Sequence, residues 1–134
     1  MRSAGFLSVA YIDDSLLLAD NEHDCLNNVN VTVKLLSSLG FTINYEKSVL
    51  IPARSIKFLC FIIDSSSVTI RLPPEKISKV LSLANSLLTG KSHTVYDLAS
   101  FIGVLVSSFP GVKYGPLHYR ALELDKCALC SFAQ

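Results

Sequence analysis

Residues 6–19 read FLSVAYIDDSLLLA: two apolar stretches of strand length, 6–12 and 15–19, that meet at Asp13-Asp14. Aspartates are turn formers, so strand-sized apolar runs on either side of them predict a β-hairpin with both carboxylates at its tip. Two like charges ~4 Å apart repel by ~4 kcal/mol at an effective dielectric of ~20. Water relieves that repulsion at an exposed turn. So does a divalent cation, since hard ions such as Mg²⁺ take carboxylate oxygens together with substrate phosphates. From the pair alone, both readings stand.

Outward from the hairpin, Leu26, Val29, Val33 and Leu36, with Leu35 and Leu39, recur at helical spacing over 22–39. Gly40 falls just past the last apolar position, where glycine accepts a left-handed backbone without strain. Phe41, Ile43 and Tyr45 alternate along a short extended segment. Residues 55–63 read as a strand buried on both faces, 64–67 as turn chemistry, and Val68, Ile70 and Leu72 as a half-exposed strand closing a second hairpin. Pro73 and Pro74 stop that strand and pre-set a helix start. Ile77, Val80, Leu81, Ala84, Leu87 and Leu88 then trace one face of an amphipathic helix ending near Gly90. Thr94 and Asp97 have capping-box spacing ahead of Leu98, Phe101, Ile102 and Leu105. Pro110-Gly111 breaks that helix, and Leu117, Ala121, Leu124 and Ala128 outline a last, shorter one. The class is α+β, with hairpins and one helix over 1–72 and helices over 73–134.

At 134 residues, 50% apolar and 17% charged, the chain is one domain or a large piece of one, and too apolar for a disordered segment. No apolar run approaches the ~18–20 residues of a membrane span, and Asp13 and Asp14 interrupt the would-be core of a signal peptide. An intracellular location is expected, with the choice between nucleus and cytoplasm open. The net charge of +1 hides an asymmetry: residues 1–24 carry one base and five acids, while the remaining stretches are mildly basic. Such a pattern suits a metal-and-phosphate partner, or an ordinary solvated surface. Four unevenly spaced cysteines make no disulfide framework, and Cys127-x-x-Cys130 lacks the second pair that a closed zinc site needs. Reduced thiols are expected.

Tyr11-Ile12-Asp13-Asp14 between apolar strands resembles the active-site hairpin of reverse transcriptases, and the following motifs keep that family's order. Leu39-Gly40-Phe41-x-Ile43-Asn44-x-x-Lys47-Ser48 is similar to the next palm motif. Lys57-Phe58-Leu59-Cys60-Phe61-x-Ile63-Asp64 is similar to the primer-grip hairpin, and the helices after Pro74 to the thumb. Phe109-Pro110-x-Val112-x-Tyr114-Gly115-Pro116-Leu117 is most similar to retrotransposons of the DIRS and gypsy types.

The resemblance implies a partial polymerase palm, built of antiparallel hairpins and one helix, followed by a helical thumb. It implies RNA-directed DNA polymerase chemistry with Mg²⁺ or Mn²⁺, acting on template-primer nucleic acid and deoxynucleoside triphosphates. Asp13 would hold the catalytic metals, with Asp14 in support near the primer end. Lys47 matches a general acid toward pyrophosphate, or is a solvated lysine on a turn. Tyr11 would pack on the template-primer, and Ile12 fills the family's variable position. Phe58, Leu59, Cys60 and Phe61 would cradle the primer strand, though the same run reads equally as sheet core. Lys76 and Lys79 would meet phosphates, or serve only solubility.

Two departures stand out. The family's first metal-binding Asp lies on a strand far upstream, and only ten residues precede Tyr11, so these residues alone are expected to be inactive without the fingers and upstream palm. Cys60 stands where the primer grip usually has glycine. The alternative reading is a non-catalytic retroelement relic acting as a nucleic-acid or protein binding module. A metal-dependent nuclease explains the acids but not the grip and thumb motifs.

Overall fold

Strands β1 (Leu7–Tyr11) and β2 (Asp14–Leu18) pair antiparallel, with Leu7 opposite Leu18 and Tyr11 opposite Asp14. The turn therefore consists of Ile12 and Asp13, and Asp14 already belongs to the second strand. The sequence reading placed both acids in the turn. Pairing shifts it by one residue and keeps the two-residue loop length that suits the twist of paired strands. The computed structural model describes residues 7–89 and 93–131; Phe6 and Gly90, read from sequence as part of the first strand and the end of a helix, lie outside the described residues.

Helix α1 (Glu22–Ser38) opens at Asn21, whose Oδ1 accepts from the Asp24 backbone N–H at 2.8 Å. It closes at Gly40, where φ is +85. The Gly40 N–H donates to the Ser37 carbonyl at 3.1 Å and the Phe41 N–H to the Leu36 carbonyl at 3.0 Å. These bonds satisfy carbonyls that a helix end leaves open. Val29, Val33 and Leu36 are half-buried as their spacing predicts, whereas Leu26, Leu35 and Leu39 are exposed.

The most deeply buried side chain of this helix is polar: Asn28 is 0% exposed. Its Nδ2 donates to the Leu7 carbonyl at 3.2 Å and to the Leu18 carbonyl at 3.4 Å, while its Oδ1 accepts from Thr32 Oγ1 at 3.2 Å. One amide thus ties α1 to the open end of the hairpin. The alternating segment 41–45 pairs with no strand among the described residues, and Phe41 and Tyr45 stand exposed. Alternation without a neighbouring strand leaves the backbone groups without a ladder.

By packing, the chain divides between Arg54 and Ser55 into two compact units. The second begins with a three-stranded antiparallel sheet, β3 (Ser55–Phe58), β4 (Phe61–Asp64) and β5 (Thr69–Arg71), in that order. The second hairpin therefore packs with the helices, and the boundary suggested at Pro73 by element type falls inside this unit. Residues 55–63 are not one continuous strand. Phe58 faces Phe61 across a turn of Leu59 and Cys60, at φ +47 and +64. No Gly, Asn or Asp marks this left-handed turn, so the apolar run conceals it. The next turn carries its signal openly: the Asp64 carboxylate accepts from the backbone N–H groups of Ser67 at 3.2 Å and Ser66 at 2.9 Å.

Helices α2 (Pro74–Thr89), α3 (Val95–Val106), α4 (Gly115–His118) and α5 (Arg120–Ser131) complete the unit, with a 3-10 turn at Phe109–Gly111. Its core is Phe101 and Ile102 on α3, which packs against both α2 and α5. On α2, Val80, Leu83, Ala84 and Leu87 are half-buried, while Leu81 and Leu88 point to solvent. The last predicted helix is two helices. Leu117 and Leu124, read as its inner face, are 73% and 66% exposed, and Tyr119 and Leu122 turn inward instead. The break at Tyr119 resets the helical phase, so a single 3.6-residue period read across it selects the wrong face. Gly115 is required where it stands: a Cβ there would lie 2.8 Å from the ring of Phe109, which packs at 5.0 Å on Tyr119.

Replacing Asn28 by Ala removes three hydrogen bonds and leaves two strand carbonyls without their donor, so a loss of ~2–3 kcal/mol in urea unfolding is expected. Asn28→Asp should cost more at neutral pH, because it sets an anion against two carbonyl oxygens. Thr32→Val should cost only ~1 kcal/mol. Equal stability of wild type and Asn28→Asp would contradict this account.

The Thr94–Asp97 capping box forms as read from the sequence: the Asp97 N–H donates to Thr94 Oγ1 at 3.2 Å, and the Thr94 N–H to Asp97 Oδ2 at 2.9 Å. The Thr94 backbone N–H, helped by its hydroxyl, holds the Asp97 carboxyl below the ordinary aspartate value of 3.8. Ser67 and Ser66 backbone N–H groups, with Arg71, do the same for Asp64. Both groups titrate lower folded than unfolded. The stability they supply is therefore complete above the unfolded value and drains as pH falls from about 4 through the folded values. Urea midpoints between pH 6 and pH 2.5 should show Asp97→Asn less stable than wild type at pH 6, with a flatter decline below pH 4.

Candidate functional site

The hairpin tip presents Tyr11, Ile12, Asp13 and Asp14 together, all exposed. Cross-strand partners share a face, so Asp14 lies on the same side of the two-stranded sheet as Tyr11 and Val9, while Asp13 caps the turn. Ile12 is 85% exposed and holds φ +53, a region where a β-branched residue is a genuine outlier. No side-chain hydrogen bond or ion pair among the described residues engages either Asp13 or Asp14.

Lys47 follows α1 in the same unit, on a turn organised by Asn44. The Lys47 backbone N–H donates to Asn44 Oδ1 at 3.2 Å, and Ser48 Oγ donates to the Asn44 carbonyl at 2.7 Å. The lysine side chain is exposed. Asn44 therefore fixes the backbone from which Lys47 projects, a role its spacing to Lys47 signals through Asx-turn chemistry.

In the second unit, Phe58, Leu59, Cys60 and Phe61 lie at the tip of the β3–β4 hairpin. Phe58 and Phe61 are half-buried, and Leu59 and Cys60 exposed. Lys76 is drawn inward: its Nζ sits 4.6 Å from the centre of the Phe61 ring and donates to the Ser107 carbonyl at 2.7 Å. Lys79, one helical turn on, stands exposed. Cys127 is an exposed free thiol on α5.

The tip meets the chemical requirements of a hard divalent cation only in part. Two adjacent, exposed carboxylates supply oxygen donors of the right kind, and Mg²⁺ commonly binds one or two carboxylates and fills its shell with water and substrate phosphates. Among the described residues, however, no three His, Cys, Asp or Glu side chains gather where they could hold a metal ion. Asp13 and Asp14 thus supply, by themselves, two carboxylate donors and not a complete metal shell.

No family model and no solved structure matches the chain. Over 108 residues, 81% of its length, the chain is 22% identical to the "Retrovirus-related Pol polyprotein from transposon gypsy" of Drosophila melanogaster, and it spans 10% of that polyprotein. The likeness supports an origin in a retrotransposon polyprotein. No helix among the described residues is long and apolar enough to cross a membrane.

Asn28 escaped the sequence reading, although it organises the acidic hairpin. A signal existed: Asn28 and Thr32 are four residues apart and interrupt the stripe that Val29, Val33 and Leu36 define. Polar residues at that spacing on an apolar face mark a buried hydrogen-bonded pair as well as a solvated one.

The left-handed backbone at Cys60 yields a test. Cys60→Gly should hold or raise unfolding stability, by up to ~1 kcal/mol, because relief of φ strain opposes the added entropy of the unfolded chain. Cys60→Val should lower stability, since β-branched residues resist positive φ. A Val variant as stable as the Gly variant in urea unfolding would place the turn elsewhere.

Proposed function

We propose that the chain forms the C-terminal palm and thumb portion of a retrotransposon reverse transcriptase, contributing two carboxylates to a nucleotidyl-transfer site. The observation that carries the reading is the hairpin tip. A two-residue turn projects Asp13 and Asp14 from a packed helix-hairpin unit, with their oxygens unclaimed by the fold. The order of motifs behind it and the likeness to a gypsy Pol polyprotein support the same reading.

Asp13 and Asp14 act as anionic oxygen donors for divalent cations. Magnesium, when bound, supplies charge that favours ionisation of the primer 3′-hydroxyl and neutralises the leaving pyrophosphate. Asp13, in the turn, is the principal donor. Asp14, beside Tyr11 on one sheet face, supports it near the primer end. Tyr11 offers its exposed ring to the template-primer. Lys47 gives a proton to a pyrophosphate oxygen as the P–O bond breaks. The β3–β4 hairpin, through Phe58 to Phe61, supports the primer strand with an apolar surface.

This chemistry needs a third carboxylate and a nucleotide pocket from outside these residues. The 134-residue chain alone is therefore expected to give no template-dependent extension with Mg²⁺ or Mn²⁺. Fused to the fingers and upstream palm of a gypsy-type polymerase, it should extend a primer. In that chimera Asp13→Asn should lower the rate ~10²-fold or more, by analogy with loss of one preorganised group in a charged transition state. Its melting temperature should hold or rise, since the change also relieves repulsion between adjacent carboxylates. Lys47→Ala should cost less, because water can replace a general acid. Wild-type extension by Asp13→Asn would reduce the acids to a solvated turn.

A further inference from the structure

Two consecutive residues at the start of α2 meet the two strands of the β3–β4 hairpin. Glu75 Oε1 lies 3.7 Å from Lys57 Nζ on β3. Lys76 Nζ lies 4.6 Å from the Phe61 ring centre on β4. Lys57 and Phe61 both adjoin the tip, next to Phe58 and to the Leu59-Cys60 turn. Lys76 also donates to the carbonyl of Ser107 at 2.7 Å, and Ser107 is the C-terminal cap of α3. A cation at that position answers the partial negative charge of the helix end. The ring face of Phe61 attracts the same ammonium from the other side. The charge that sequence alone offers to a phosphate is engaged by the fold.

We propose that Lys76 is a positioning residue for the β3–β4 hairpin, its ammonium joining Phe61 to the C-terminal end of α3, and not a phosphate contact. The inference deepens the proposed function, because it rests on that reading for the hairpin's task of supporting a primer strand. The Leu59-Cys60 turn lacks the residues that would make it rigid by itself. Its orientation is set from behind, by one lysine whose ammonium is engaged by ring and carbonyl. Lys79, exposed on the same helix, is the side chain left for phosphate.

Nuclear magnetic resonance on the 134-residue chain tests this without nucleic acid. The ε-methylene protons of Lys76 should be displaced upfield by the Phe61 ring current, and Phe61→Leu should return them to ordinary values. Lys76→Met keeps the aliphatic stem and removes the charge. It should lower hydrogen-exchange protection at the Phe61 and Ser108 amides by ~3–10-fold, the range expected for one lost cation–ring contact. Lys76→Arg should restore most of it, since a guanidinium also stacks on a ring and donates to a carbonyl. Ordinary Lys76 shifts in the wild type, or unchanged protection in Lys76→Met, overturns the proposal. Should Lys76→Met fail to fold, the Phe61→Leu comparison decides.

A second arm measures template-primer binding against salt. Lys79→Met should flatten the slope of log K against log salt by ~0.7–0.9, the share of one phosphate contact, while Lys76→Met leaves it unchanged. A flattened slope in Lys76→Met makes Lys76 a phosphate contact and overturns the positioning role. If the chain does not bind template-primer even when fused to the fingers and upstream palm, the proposed function is what fails, and the resonance comparison still decides the role of Lys76.

Discussion

The side-chain amide of Asn28 donates both of its hydrogens to strand carbonyls, those of Leu7 and Leu18, at the end of the hairpin opposite the acids. A two-stranded hairpin is marginal by itself in water, so whatever fixes it must come from the neighbouring helix. Half-buried valines and leucines give that helix adhesion but little direction, since apolar contact tolerates sliding. Two directional bonds from one buried residue do not. With Thr32 occupying its oxygen, Asn28 has three of its four hydrogen-bonding positions filled, which makes a buried amide affordable. From that anchor the strands run to Tyr11 and Asp14 at ~3.4 Å per residue, so the tip stands roughly 14 Å beyond it. The position of the acids is thus set by a polar contact remote from them.

The C-terminal unit solves a similar problem with charge. Its hairpin turns on two residues without turn chemistry, and α2 meets it through Lys76 on the Phe61 ring, with an exposed Lys57–Glu75 pair that adds little. Glycine does the corresponding work near the C-terminus. A Cβ on Gly111 would meet the backbone nitrogen and side chain of Leu72 at 3.1 Å, and one on Gly115 would meet the Phe109 ring. Within the stretch from Phe109 to Leu117, whose wording resembles retrotransposon sequences, the two glycines are therefore explained by close packing. Within this unit the stretch carries no visible chemistry.

What the sequence disclosed and what it hid follow one physical division. Features encoded by local backbone chemistry were legible: the acidic hairpin, the Gly40 helix end, the Thr94–Asp97 box and the Asp64 turn all rest on residues whose side chains or missing Cβ act within a few positions. Features set by tertiary contact were not. Periodicity made 55–63 a single strand, whereas comparison with the primer-grip motif, which has glycine where Cys60 stands, pointed to a hairpin. The positive φ at Cys60 gives that glycine its physical meaning. Asn28 draws no notice in the sequence, and Lys76 reads as a phosphate contact or a solubilising lysine, because their partners are distant in sequence: Leu7 lies 21 residues from Asn28, and Ser107 lies 31 from Lys76. At the candidate site the residue types were legible and the one-residue shift of the turn was not, since Ile12 has no local reason to occupy it.

That shift bears on how the acids should be understood. A turn that merely connects two strands is best filled by Gly, Asn or Asp at positive φ, and Asp13 stood next in line for the position. Instead Ile12 takes it at φ +53, at a strain of order 1–3 kcal/mol for a residue of its kind. The outcome of that strain is geometric. Asp13 is left at the apex in the second turn position, and Asp14 becomes the first paired residue, opposite Tyr11. Asp64 and Asp97, by contrast, are engaged by backbone N–H groups and held below their ordinary titration range. At the tip a less comfortable backbone exposes two carboxylates that the fold does not use. Val68, also β-branched and exposed, holds a similar backbone at φ +51, so it is the exposure of the two acids, and not the strain beside them, that bears on what the hairpin presents.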